Sequence, residues 1–265
     1  MNGLRVGAVT YLNARPLTFC LSELAPDIEI VVDLPSRLAA GLAEGRLDIA
    51  LIPSIEYLRQ PGCSIVSDAC VCCDGASRSV IFYSRVPVER IRTLALDEGS
   101  RTSAALARIL LAEQFDLRPK LESLPIGSSL EDTDADAVML IGDRGMCPVR
   151  GDFEFVWDLG LEWSRWAGLP FVFAMWVARP SVTLNSATIR SAEKILADAR
   201  DRGVEQMAKI ARLAAPDIGL PEDECLSYLR DSLGFKLGQR ERQGLETFYQ
   251  LAGRHGLGPE QKAES

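Results

Sequence analysis

The chain is expected to fold as α/β, with parallel-rich sheets and a helical C-terminal region, and three observations predict this. Short apolar runs suited to buried strands are each followed by a stretch of helical spacing, the alternation that builds parallel sheets through right-handed crossovers. The alternation pauses at a Pro-bearing linker near Val86-Pro87, restarts at Thr93, and ends near Ala178-Arg179-Pro180. From Asn185 onward the pattern is helical almost to the end. One linker leading out and one leading back predict a two-strand hinge that joins residues 1–88 plus 179–265 to residues 89–178.

The first strand is expected over Leu4 to Val9, and Pro16 marks the helix that follows, so Asn13 falls at the strand-to-helix junction. Ligands meet open α/β sheets at such junctions, although an N-cap role accounts for an Asn there equally well. Ile28 to Asp33 is the second strand, Pro35 to Glu44 a helix, and Ile49 to Ile52 a third, buried strand. The helix that starts at Pro53 carries Ser54 and Glu56 toward the same edge as Asn13. Glu56 is a candidate base there, or an acidic residue suited to the positive end of the helix dipole.

Ser77-Arg78-Ser79 precedes an apolar strand over Val80 to Tyr83. Thr93 to Leu111 reads as a strand, a turn at Asp97-Glu98-Gly99, and a helix opening on Ser100, Arg101, Thr102 and Ser103. Free N–H groups at that helix start suit a carboxylate or phosphate, while Ser100 also has the character of a plain helix cap. A strand at Lys120 to Leu124, an acidic loop over 128–136, and a buried strand at Ala137 to Ile141 follow, closed by Gly142-Asp143. Phe153 to Trp176 is the most aromatic part of the chain. Helices are expected at Ser186 to Arg202, Val204 to Ala214, Pro221 to Leu229 and Gln239 to Arg254, with a frayed polar tail over 256–265.

Composition narrows the function. With 265 residues, 47% hydrophobic and 25% charged, the chain has ample core for one large or two modest domains. A net charge of −8 argues against a nucleic-acid partner, so an anionic ligand must be held by local donors. The longest apolar runs fall short of the roughly 20 residues a membrane span needs, and Met1 to Leu12 lacks the apolar stretch of a secretory leader. No membrane partner is expected, and the expected location is cytoplasmic. Seven cysteines include Cys63, Cys70, Cys72 and Cys73 within eleven positions. Their spacing matches no zinc pattern, and the single histidine, His255, lies far along the chain. The expectation is therefore no metal, no cofactor, and buried thiols of a reduced compartment.

Taken together, the motifs resemble the chorismate dehydratases of the futalosine route to menaquinone. The resemblance is carried by Val6-Gly7 with Tyr11 to Leu17, by Asp48 to Tyr57, by Ser79-Val80, and by Leu94 to Ser103. It continues through Ile141-Gly142-Asp143, Asp158 to Trp163 and Gly168 to Ala174. The Cys70-Val71-Cys72-Cys73 segment and Arg144-Gly145 depart from the family pattern.

The resemblance implies the two-lobed fold of type II periplasmic binding proteins. It also implies a lyase that converts chorismate to 3-[(1-carboxyvinyl)oxy]benzoate and water. By motif, Asn13 and Ser79 are expected nearest the reacting ring. Ser54, Glu56, Ser77, Arg78, Ser100, Arg101, Thr102, Ser103, Ile141, Gly142 and Asp143 are expected around the substrate, with Trp163 and Phe171 as the wall. Two rivals remain. One is a non-catalytic small-anion binder of the same fold; the other is the sister dihydroxynaphthoate synthase, which is expected to need a histidine in its cleft.

Overall fold

The computed structural model of the protein describes residues 3–147, 149–183 and 186–258. In chain order, β1 (Arg5–Val9) enters a 3-10 turn (Leu12–Ala14), α1 (Arg15–Thr18) and α2 (Leu21–Leu24). Then come β2 (Glu29–Asp33), α3 (Pro35–Ala43), β3 (Ile49–Pro53), α4 (Ser54–Arg59), β4 (Ser64–Cys73) and β5 (Val80–Ser84). Next are β6 (Thr93–Asp97), α5 (Arg101–Phe115), β7 (Lys120–Leu124), β8 (Ala137–Ile141), α6 (Gly142–Met146), β9 (Phe155–Asp158), α7 (Leu159–Ala167) and β10 (Phe171–Ala178). The rest holds α8 (Pro180–Thr183), α9 (Ser186–Glu205), α10 (Met207–Ile218), α11 (Glu222–Ser227), a π-helical turn (Tyr228–Ser232), β11 (Gly234–Lys236) and α12 (Gln239–Arg254).

These strands form two sheets, one ordered β11-β4-β10-β3-β1-β2 and the other β7-β6-β8-β5-β9. Pairing is parallel where the sequence alternates strand and helix: β1 with β2 and β3, and β6 with β7 and β8. Each strand that returns without a full crossover adds antiparallel pairing, as β10 does with β3 and β4, and β5 with β8 and β9. Helix α3 lies close over β1, because a Cβ at Gly7 would stand 2.8 Å from Leu47 and 2.9 Å from Leu38. Only glycine permits that approach.

The boundaries expected from the two Pro-bearing linkers are corrected by strand membership. Residues 80–84, expected with the first unit, lie in the second sheet, where Val80 is registered with Ile141. Residues 171–178, expected with the second unit, lie in the first sheet, where Phe171 is registered with Cys73. The chain therefore crosses between sheets over 74–79 and again over 168–170. Both strands are apolar runs of ordinary composition, and the partner of such a run is decided by contacts far away in the chain.

The cysteine-rich segment is the inner end of the ten-residue strand β4, flanked by β10 and β11. Cys70, Cys72 and Cys73 are buried there, all seven cysteines are free thiols, and Cys63 is half-buried just before the strand. Burial is the main influence pushing the Cys73 thiol well above its usual value, which keeps it unreactive. In the C-terminal region, α9 runs on to Glu205 rather than breaking after Arg202. The expected frayed tail lies outside the described residues from 259 onward.

Candidate functional site

The C-terminal end of β1, the ends of β3 and β8, and the helix start after β6 open onto one cavity of about 50 Å³ between the two sheets. Strand C-termini are where an α/β sheet leaves backbone donors for a ligand. The cavity's polar lining is Tyr11, Asn13, Ser79, Ser100 and Ser103, with the Ile141-Gly142 turn. Its walls are apolar, from Val9, Leu51, Val71, Val80, Phe173 and Ala174. Among the described residues lining it, none carries a charged side chain.

Asn13 sits in the 3-10 turn and caps neither that turn nor α1, whose N-cap positions are Tyr11 and Ala14. It lines the cavity together with Ser79, which the Tyr228 hydroxyl reaches from behind. That hydroxyl donates to Ser79 Oγ at 2.8 Å, with both residues buried. Tyr228, from the C-terminal region that held no recognisable motif, is thus a site residue the sequence reading missed. Burial raises its hydroxyl far above the usual phenol range, so it stays protonated near neutral pH.

The start of α5 serves both readings of Ser100. Its Oγ accepts the Ser103 N–H at 3.1 Å, as a cap does, and the residue also lines the cavity. Ser100 Oγ in turn donates to Ser103 Oγ at 2.8 Å, which leaves the Ser103 proton free. Thr102 faces elsewhere: its Oγ1 accepts the Ile55 N–H at 3.3 Å and lies 3.4 Å from Ser54 Oγ, while Ser54 donates to the Val172 carbonyl. This pair joins the first turns of α4 and α5 and does not line the cavity.

Several expected ligand contacts are used inside the protein. Glu56 is paired at 2.9 Å with both Arg59 and Arg101, so neither it nor Arg101 faces the cavity. Ser77 and Arg78, expected around the substrate, hold the protein's own Asp158. That carboxylate accepts the Ser77 N–H at 2.9 Å, the Ser77 hydroxyl at 3.0 Å and the Arg78 N–H at 2.6 Å, and it also caps α7. Arg78, in the left-handed region at φ 57°, sends its guanidinium to Ser227.

Asp143, at the start of α6, accepts the Leu12 N–H at 3.0 Å and does not line the cavity. Burial raises its carboxyl above the usual range, with the Leu12 bond and the Arg15 charge opposing. Arg144, one of the departures from the family pattern, pairs with the buried Asp97 and donates to the Ser128 carbonyl. Tyr11 lies against this group, and burial together with the Asp97 charge pushes its hydroxyl up to about 12.

Trp163 and Phe171 are not the cavity wall. Both are fully buried in the core under the second sheet, with Phe248 in edge contact with each, and Trp163 donates to the Pro170 carbonyl. The aromatic wall is Phe173, two residues farther along β10. A register shift between Val172 and Ala174 bends the strand there, and such a bulge re-aims side chains in a way composition does not reveal. His255 lies in a separate hollow against Glu113 at 2.7 Å.

No helix among the described residues is long and apolar enough to cross a membrane. Known proteins bear on the fold and the family. The chain shares 27% identity with a chorismate dehydratase of Thermus thermophilus over 94% of each chain. With a chorismate dehydratase of Campylobacter jejuni it shares 25% identity, over 91% of this chain and 94% of the relative. Among solved structures, a protein from Archaeoglobus fulgidus superposes with a TM-score of 0.77 at 14% identity, covering 96% of this chain and 98% of that one. The periplasmic aliphatic sulphonate binding protein of Escherichia coli superposes at 0.62 with 16% identity, covering 98% and 94%. The fold is therefore the two-sheet α/β fold of periplasmic binding proteins. The profile of the menaquinone biosynthesis family matches residues 4–254, and the chain belongs to that family.

Proposed function

We propose that the protein dehydrates chorismate to 3-[(1-carboxyvinyl)oxy]benzoate and water, the first step of the futalosine route to menaquinone. The reaction takes place in a cleft between two lobes, each built on one sheet. The proposed setting is the cytoplasm, a reducing compartment that suits seven free thiols. One observation carries the reading: Asn13 and Ser79 share a largely apolar cavity with the hydroxyl-rich start of α5. Apolar walls suit the ring, and the N–H and O–H donors at a helix start suit a carboxylate.

The elimination removes the proton from the ether-bearing ring carbon and expels the neighbouring hydroxyl. The C–H electron pair becomes the new ring double bond, and the proton departs with the hydroxyl as water. Glu56 is neutralised by two arginines, Asp143 is engaged by Leu12, and neither lines the cavity. The base in this proposal is the substrate's own enolpyruvyl carboxylate. Held close to that carbon, it gains a high effective concentration. Asn13 orients the ring hydroxyl, Ser79 holds a carboxylate, and the closed cleft excludes water.

Incubation with chorismate, followed by ultraviolet absorbance and product mass, tests the proposal. A product lighter by one water supports it. Bound chorismate with an unchanged spectrum would leave the non-catalytic anion-binding reading, which the fold shared with a sulphonate-binding protein brings forward.

A further inference from the structure

Tyr228 is completely buried and stands 149 residues from Ser79 in sequence, yet its hydroxyl meets that serine, one of the two polar residues nearest the proposed chemistry. A phenol has one proton to give. Tyr228 gives it to Ser79 Oγ at 2.8 Å. Ser79 accepts a bond from behind, which leaves its own proton for the cavity.

The backbone holds this arrangement deliberately. Tyr228 opens a π-helical turn directly after α11, a rare geometry that recurs at functional sites. The preceding residue, Ser227, is bonded by Arg78 Nη1 at 3.0 Å, so the crossover loop that carries Ser79 is held at two adjacent points by one short segment.

We propose that Tyr228 is a positioning residue for the dehydration. Its hydroxyl sets the hydrogen-bond polarity of Ser79, so that Ser79 donates its own proton to a substrate carboxylate beside the ring hydroxyl that Asn13 orients. The inference rests on the chorismate dehydratase reading above.

Tyr228→Phe keeps the ring and its packing and removes the proton. With chorismate as substrate, kcat is expected to fall about 10- to 100-fold while KM moves less than about threefold, the mark of orientation lost in the transition state. In a Ser79→Ala background the same change is expected to cost less than about threefold, because the partner is already absent. Ser227→Ala loosens the other anchor of the loop and is expected to keep kcat within about threefold of wild type. Equal losses for Tyr228→Phe in both backgrounds, or a Ser227→Ala loss as large as that of Tyr228→Phe, would reduce Tyr228 to a structural prop and overturn the inference. A Tyr228→Phe protein at the wild-type rate overturns it as well. Wild-type protein that leaves chorismate intact overturns the functional reading itself and this inference with it, whereas active wild type with an unimpaired variant overturns the inference alone.

Discussion

Asp143 accepts the backbone N–H of Leu12 at 3.0 Å, a bond between residues 131 positions apart that ties the turn after β1 to the helix start after β8. The two sheets face each other across this bond. It also holds a carboxylate in a largely desolvated place, and burial raises its pKa despite the Leu12 donor and the Arg15 charge. A carboxyl with a raised folded-state pKa binds its proton more tightly when folded, so its contribution to stability is full below the unfolded pKa of about 4 and is lost as pH rises through the folded value.

Asp143→Asn removes that ionisation while keeping an oxygen for Leu12. Relative to wild type, the variant is therefore expected to gain stability as pH rises from about 4 to 7. Urea unfolding at several pH values checks this. A difference between the two proteins that stays flat with pH would show that Asp143 titrates normally.

Glu56 is expected to matter for stability and not for the chemical step. Its carboxylate joins α4 to α5 through Arg59 and Arg101, each at 2.9 Å and each partly exposed. Glu56→Gln should lower unfolding stability by about 1.5 to 3 kcal/mol, the range for hydrogen bonds to charged groups. Its saturated single-turnover rate on chorismate, and that of Asp143→Asn, should stay within about tenfold of wild type, below the span of a general base. A fall of three or more orders of magnitude in either, with chorismate still bound, gives the base role to that side chain.

Ser103 and Thr102 adjoin in sequence but are expected to behave differently. Ser103 accepts from Ser100 and keeps its proton for the cavity, so Ser103→Ala should weaken chorismate binding by roughly 10- to 150-fold. Thr102 accepts from Ile55, so Thr102→Ala should cost about 0.5 to 1.5 kcal/mol of stability and leave affinity nearly unchanged. Calorimetric titration and thermal melts of both variants separate the two outcomes; matched affinity losses would contradict the assignment.

The aromatic wall makes a further contrast. Phe171→Ala should destabilise by about 3 to 5 kcal/mol, as large core truncations do, because the ring is fully buried against Trp163 and Phe248. Phe173 is only partly buried and lines the cavity, so Phe173→Leu should raise the chorismate Kd with a smaller loss of stability. Equal affinity changes in the two variants would return Phe171 to the wall.

Gly142 has φ of 60°, and a Cβ there would stand 3.1 Å from the Tyr11 ring. Gly142→Ala is expected to cost about 1 to 2 kcal/mol for the left-handed backbone alone. Because the turn also lines the cavity, chorismate affinity should fall with it. Unchanged affinity in a folded variant would show that Tyr11 yields freely.

Local pattern determined much of this protein. The strand-helix alternation fixed the parallel parts of both sheets, since apolar periodicity and capping residues act over a few neighbours. It also marked Asn13, the Ser100 and Ser103 helix start, and the Ile141-Gly142 turn, because strand ends and helix starts are where free backbone donors are left. What it could not decide was which sheet took Val80–Ser84 and which took Phe171–Ala178, because either apolar run satisfies either sheet and hydrogen-bond partners choose between them. Nor did it show that Glu56 and the Ser77-Arg78 loop are neutralised from within, since Arg101 and Asp158 are brought there only by folding. Tyr228 is the fullest case. Nothing adjacent to it in sequence distinguishes it from a core aromatic, and only the packing of the C-terminal segment onto the crossover loop brings its proton to Ser79.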